Sequence, residues 1–265
     1  MFDKCIDNRE EEVQLDAGNY EVRLACSASE VEAAQRLRYR VFYEEMGAQP
    51  SPSVYALKRD VDGYDAYCDH LLVIDKGKSN GEPCVVGTYR LLRRKVAQDF
   101  SGFYSEQEFD LGPLLSYPGE IVEMGRSCVA SNVRTGAVMQ YLWRGIAEYI
   151  EQHDVSLLFG CASFHGTEPQ VITRSLSYLY HNYLAPEALR PRALDKHYVD
   201  MNPDVVDIST VGLKDISLPP LIKGYLRVGS FVGDGAVIDH QFNTTDICVV
   251  LDTDLISRKY QRHFQ

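Results

Sequence analysis

Apolar and polar positions along the chain follow two periods, and these divide it into strands and helices. Residues 20–26 (YEVRLAC) alternate as a half-buried strand does. A helix is predicted over 30–46, with Ser27 and Glu30 suited to a capping box and Gly47 to its end. HLLVI (70–74) and VVGTYRLL (85–92) read as strands around a turn at 76–83 rich in Gly, Ser and Asn. Residues 93–119 look irregular or partly helical, and 120–129 form a strand. In 137–153, Val138, Leu142, Ile146 and Ile150 recur every four residues, and Met139 and Trp143 widen that stripe. VSLLFGC (155–161) is continuously apolar, as a central strand is. A helix over 169–183, a strand at 246–251 (DICVVL) and a short polar helix over 254–264 complete the pattern. Proline-rich residues 185–220 receive no assignment, and residues 1–18 form a polar segment.

This order, with hairpin-like turns between the middle strands, predicts an α/β fold. A mixed sheet with helices on its faces fits better than a purely parallel one. One domain is expected over 19–265, with 185–265 as a C-terminal extension on its core. No GxGxxG or GxxxxGK[ST] follows a strand, so dinucleotide and P-loop readings lose support.

The strand EIVEMGRSCV breaks its own pattern, because Glu123, Gly125 and Arg126 sit among core residues. Residues three apart point to opposite faces of a regular strand. A bulge at Gly125 would turn Glu123 and Arg126 the same way and free a backbone N–H for a ligand oxygen. Arg38, on a helical stripe with Val31 and Phe42, and Arg90, within VVGTYRLL, are also placed to be buried. Acids accompany the arginines: Glu44, Glu45, Asp60, Asp62, Asp65 and Asp69. The bland reading is structural ion pairing. The functional reading is a cleft for a small zwitterion, with cations for its carboxylate and anions for its ammonium. The turn SNVRTG opens the 137–153 helix, and such an N-terminus can receive a phosphate. Cys128 beside Ser127 invites a nucleophile reading, but no GxSxG and no nearby histidine support it.

A net charge of −11 argues against a general nucleic-acid or membrane-surface binder. The run Arg93-Arg94-Lys95 could still dock an acidic partner. The N-terminal residues lack a signal-peptide apolar core, and no apolar run is long enough to span a bilayer. Seven scattered cysteines without CxxC, and histidines without HxH or HxxxH, predict reduced thiols and no structural metal.

RYRVF (38–42), DGYD (62–65), VVGTYRLL and EMGR (123–126) together resemble acyl-homoserine-lactone synthases, within the GNAT-like acyltransferases. FYSEQEFDL (103–111), LFGCASFHGT (158–167), LPPLIKGYLRVG (218–229) and FNTTDICVVL (242–251) resemble more closely the bacterial ornithine acyl-ACP N-acyltransferases, over nearly the whole chain. That resemblance implies a GNAT-like, largely antiparallel sheet flanked by helices. It implies transfer of a 3-hydroxyacyl chain from acyl carrier protein to L-ornithine, giving lyso-ornithine lipid. Residue by residue it covers Arg38, Phe42, Asp62, Asp65, Arg90, Glu123 and Arg126. The amine's proton needs a base, and Glu123 is the candidate, with Gly125 and Arg126 beside it; Arg38, Phe42, Asp62, Asp65, Arg90 and Ser127 are the candidates for substrate binding. Arg134 and Gly136 would meet the donor's phosphopantetheine, and Arg93, Arg94 and Lys95 the carrier protein. Burial would raise the Glu123 pKa and Arg126 would oppose that. No cofactor or metal is expected, because the thioester supplies the driving force. The location implied is cytoplasmic, with transient contact at the inner membrane. The alternatives are another amine such as glycine or lysine, a lactone synthase acting on S-adenosylmethionine, or a non-catalytic module that binds acyl-ACP or lipid.

Overall fold

The computed structural model describes residues 13–78, 83–134, 136–203 and 216–254. The chain divides into two compact units: Met1–Ser101 with Met124–Val155, and Gly102–Glu123 with Ser156–Gln265.

In the first unit, β1 (Gln14–Ala17), β2 (Tyr20–Leu24), β3 (Asp69–Asp75) and β4 (Val85–Arg93) form an antiparallel meander, and β6 (Glu120–Val129) lies beside β4. Strand β6 contributes its residues from Met124 onward to this unit and the preceding ones to the other. Gln14–Ala17 thus pair as a strand within the segment expected to be only polar.

Helix α1 (Ala28–Tyr39) starts at Ser27, whose Oγ accepts from the Glu30 N–H at 3.3 Å. The Glu30 carboxylate reaches the Cys26 N–H and the Arg23 guanidinium rather than the Ser27 N–H, so only half of the expected capping box forms. The helix then widens into a π-turn over Arg40–Glu45, and Gly47, at φ +80°, follows it. Two shorter helices, α2 (Pro52–Leu57) and α3 (Arg94–Gln98), follow in the chain.

Leu72 and Ile74 of β3 pack under Ala33, Ala34 and Leu37 of α1. The alternate residues Leu71 and Val73 face α5 (Ala137–Gln152). Both faces of β3 are therefore covered, which is why HLLVI is apolar throughout. Helix α5 approaches closely at two glycines. A Cβ on Gly87 would lie 2.8 Å from Val138 Cγ1, and one on Gly145 would lie 2.9 Å from Leu71 Cδ1.

In the second unit, β10 (Thr244–Asp252) runs antiparallel to both β7 (Val155–His165) and β9 (Phe231–Asp239). Strand β9 pairs in parallel with β8 (Arg192–Ala193), which is antiparallel to β5 (Phe109–Asp110). Helices α4 (Gly112–Leu115), α6 (Thr173–Tyr183) and α7 (Pro220–Val228) complete it. Helix α7 buries Ile222, Tyr225 and Leu226 on one side. Strands β8 and β9 lie where the sequence pattern gave no assignment or no strand, and the polar helix expected at 254–264 lies, except for Asp254, outside the described residues. The result is a mixed α/β fold with largely antiparallel strands.

Gly145→Val should lower stability by about 1–3 kcal/mol through overpacking against β2 and β3. Denaturant unfolding measures it, and an unchanged midpoint would show that α5 has room to move.

Candidate active site

The segment DGYD is organised by its own backbone. Asp62 caps a 3₁₀ turn over Gly63–Ala66, accepting from the Tyr64 N–H at 2.9 Å, and Asp65 reaches back to the Asp62 N–H at 3.4 Å. This reciprocal cap explains the Asp-x-x-Asp spacing, since it fixes both carboxylates on one side of the turn. Arg38 of α1 meets Asp65 at 2.8 Å and Asp60 at 2.8 Å. Arg90 of β4 meets Asp62 at 2.6 Å and Asp65 at 3.1 Å. Arg126 of β6 meets Asp60 at 3.2 Å and Asp62 at 3.1 Å. Gln35 and Tyr43 donate to Asp65 and Asp60.

Three guanidinium groups and three carboxylates therefore close on one another. Arg38 is 0% exposed and Arg90 4% exposed. Burial pushes the Asp65 carboxyl up, but the charges of Arg38 and Arg90 more than reverse this and hold it well below the usual carboxylate range. Asp62 is lowered for the same reasons, with Arg90 and Arg126 opposing burial. His70 lies under the network, its Nε2 2.9 Å from the Asp65 carbonyl oxygen.

Strand β6 is irregular one residue later than expected. Arg126, at φ +52°, takes the left-handed conformation, and Gly125 does not. A non-glycine residue there costs on the order of 1–2 kcal/mol, which the ion pairs of Arg126 offset. A Cβ on Gly125 would meet nothing within 4 Å, so open space lies above that position. Ser127 has a buried hydroxyl without a hydrogen-bond partner among the described residues. Burial pushes the Cys128 thiol up to about 12, so it is a core thiol and no nucleophile.

The other expected residues of this unit stand apart from the network. Phe42 packs on the core beneath α1. Arg134 pairs with Glu45 at 2.6 Å, and Gly136, at φ +96°, precedes α5 without a side-chain cap; Thr135 between them lies outside the described residues. Of Arg93-Arg94-Lys95 only Lys95 is exposed, and Arg93 is tied to Asp69 at 3.5 Å, so the run is not the open basic patch expected.

Glu123 belongs to the second unit. Its carboxylate accepts from the Tyr104 N–H at 2.8 Å, the Ser105 N–H at 2.7 Å and the Ser105 hydroxyl at 2.5 Å. The Ser105 hydroxyl lies 3.4 Å from Cys161 Sγ, and that thiol donates to Glu108 at 3.4 Å. Burial, then the neighbouring Glu108, pushes the Cys161 thiol well above its ordinary value, so it remains a neutral donor. Glu108 also clusters with Asp239 and Asp246, their oxygens within 4.8 Å of one another. Glu108 and Asp239 line a cavity of about 430 Å³ together with Tyr104, Lys196, His197 and His240.

The expectations drawn from residue type missed this cavity. One signal was available. Asp246 stands at the head of the apolar run ICVVL, and it is 6% exposed. The remaining wall comes from turns and β9, where no periodicity announces a site.

Residues 37–144 match the family model described as an acetyltransferase (GNAT) domain. The fold is that of a solved N-acyl amino acid synthase, FeeM, from uncultured soil microbes. The match has a TM-score of 0.50 at 11% identity and covers 89% of this chain and 91% of that one. The fold is thus that of a GNAT-like acyltransferase. The L-ornithine N(alpha)-acyltransferase of Rhizobium meliloti (strain 1021) is 45% identical over 93% of this chain and 84% of its own length. Its counterpart in Brucella abortus (strain 2308) is 44% identical over 93% of this chain and 89% of its own. The chain belongs to the L-ornithine N(alpha)-acyltransferase family and is an acyltransferase.

His70 gives the network a pH signature. Burial, then the Arg38 charge, lowers its pKa from 6.5, so the folded state favours the neutral ring. The unfolded state then binds more protons as pH falls through about 6.5, and stability declines there. The carboxylates lowered in the fold lose their contribution only below about 4. The melting temperature should fall between about pH 7.5 and 5.5, and His70→Asn should flatten that drop. An equal drop in the variant would assign the effect to other groups.

Proposed function

We propose that this acyltransferase moves a 3-hydroxyacyl chain from acyl carrier protein to the α-amine of L-ornithine, giving lyso-ornithine lipid. The observation that carries the acceptor is identity of 41–45% over 93% of the chain to relatives named for transfer to that amine. The donor reading rests on the motif resemblance of the sequence.

The ammonium loses a proton, its nitrogen attacks the thioester carbonyl, the C–N bond forms and the C–S bond breaks, and the thiolate leaves and takes up a proton. Glu123 is the proposed general base. Its three donors fix the carboxylate in one orientation, which suits a group that must meet one proton along one line. The α5 N-terminus at Gly136, without a side-chain cap, suits the donor's phosphate. Lys95 remains as a contact for the acidic carrier protein. Among the described residues no helix is long and apolar enough to cross a membrane. Transient contact with the bilayer surface is proposed from the lipid product alone.

Mass spectrometry of the purified chain with 3-hydroxyacyl carrier protein and a panel of ornithine, lysine, glycine, serine and S-adenosylmethionine tests the reading. N-acyl-ornithine that requires both substrates is expected, and a product from another amine alone would retire the acceptor. Glu123→Gln should lower kcat by about 100- to 10,000-fold. Its new NH₂ would confront an N–H of Tyr104 or Ser105, so circular dichroism must show an intact fold. Full activity would remove Glu123 as the base.

A further inference from the structure

The proposed reaction leaves one proton over. The acceptor enters as an ammonium and ends as an amide with one N–H, so its nitrogen gives up two protons. The departing thiolate takes one of them, and the other must reach water. Glu123, the proposed base, is 5% exposed. Of the three donors that meet its carboxylate, the backbone N–H groups of Tyr104 and Ser105 cannot receive a proton, whereas the Ser105 hydroxyl can.

The polar contacts continue from that hydroxyl. Ser105 is buried, and its Oγ lies 3.4 Å from Cys161 Sγ, with either atom able to donate. The Cys161 thiol reaches Glu108 Oε2 at 3.4 Å. Glu108 lines the cavity of about 430 Å³ with the exposed side chains of Lys196, His197 and His240, so that end of the string meets water. Glu123, Ser105, Cys161 and Glu108 all belong to the second unit. The two backbone N–H groups already hold the 104–107 turn on Glu123. The hydroxyl and the thiol go beyond what that docking requires, and each can both give and accept a hydrogen bond. A relay member must also keep its proton at rest. Burial, then the Glu108 charge, imposes that state on the Cys161 thiol.

We infer that Ser105 and Cys161 relay the surplus proton from Glu123 to Glu108, which releases it into the cavity. The inference rests on the reading above that Glu123 is the base. At rest the Ser105 hydroxyl donates to Glu123 and the Cys161 thiol to Glu108. Once Glu123 has taken the proton, the hydroxyl turns to Cys161. The Glu123 proton then passes to Ser105 Oγ, the hydroxyl proton to Cys161 Sγ and the thiol proton to Glu108 Oε2. Glu123 ends as a carboxylate and Glu108 as a carboxylic acid, while Ser105 and Cys161 end neutral as they began. Glu108 gives its proton to water in the cavity, and the thiol turns back to it. Ser105 and Cys161 thus act through the base and not on the substrate.

Steady-state kinetics of the full chain test this, with 3-hydroxyacyl carrier protein and L-ornithine as substrates and imidazole as a diffusible proton carrier. Cys161→Ala should lower kcat about 100-fold with KM unchanged, and imidazole should restore part of that loss in a saturable way. Cys161→Ser keeps a group that gives and takes a proton, and its kcat should stay well above that of Cys161→Ala. A merely structural thiol would be replaced at least as well by Ala. Glu108→Gln removes the acceptor at the cavity and is an independent second variant, expected to be slow and rescued in the same way. Cys248→Ala is the control, because that buried thiol stands directly opposite Cys161 across β7 and β10 but contacts the Val249 carbonyl oxygen; its kcat should match the wild type. Wild-type kcat in Cys161→Ala or Glu108→Gln would overturn the relay. So would Ala and Ser variants of Cys161 that are equally slow and not rescued by imidazole. Failure of the base reading shows separately, as full activity in Glu123→Gln.

Discussion

Arg38 carries a full positive charge at 0% exposure, and the first unit is arranged around its neutralisation. A charge so placed is tolerated only with close partners, and removing one partner of such a pair costs about 3–5 kcal/mol. The partners come from the segment after α2: Asp60, and Asp65 in its reciprocal cap. Those carboxylates in turn face Arg90 on β4 and Arg126 on β6. One helix, one turn and two strands are thus fixed by a single set of ion pairs. The left-handed backbone at Arg126 is held by the same set.

This closure changes what the charges can do. Each guanidinium already meets two carboxylates, so an amino-acid substrate entering there would have to displace an existing ion pair. The network is better suited to holding β6 in its irregular course than to gripping a substrate. In the second unit the carboxylates of Glu108, Asp239 and Asp246 gather together, and Glu108 and Asp239 line a cavity.

Most of the strands and the long amphipathic helix could be read from period alone, because β3, β4, β7 and α5 bury whole faces and their apolar spacing records it. The charged residues of the first unit were also visible, since Arg38, Arg90 and Arg126 interrupt patterns that demand apolar side chains. Their mutual pairing was not visible, because it depends on which carboxylates the 62–65 turn delivers. The displacement of the β6 irregularity from Gly125 to Arg126 likewise reflects ion pairs that no local preference encodes. Strands β8 and β9 escaped notice because β8 is two residues long and β9 carries glycines at 233 and 235. Gly235 is required by a φ of +86° and by Tyr198, whose ring would lie 2.5 Å from a Cβ there. The cavity residues Lys196, His197 and His240 sit on turns and at a strand end, where sequence spacing carries no information about what meets in space.

The central claim is that the arginine–aspartate network holds structure while the acceptor binds elsewhere. Arg126→Gln separates these roles, because Arg126 is the most exposed of the three arginines in the network, at 12% for its side chain. Unfolding free energy and the Kd for L-ornithine would be measured on the same protein. The account predicts a loss of stability of a few kcal/mol, on the order of the cost of breaking a buried pair, with an unchanged Kd. Full stability with ornithine binding abolished would contradict it and return the acceptor to the network.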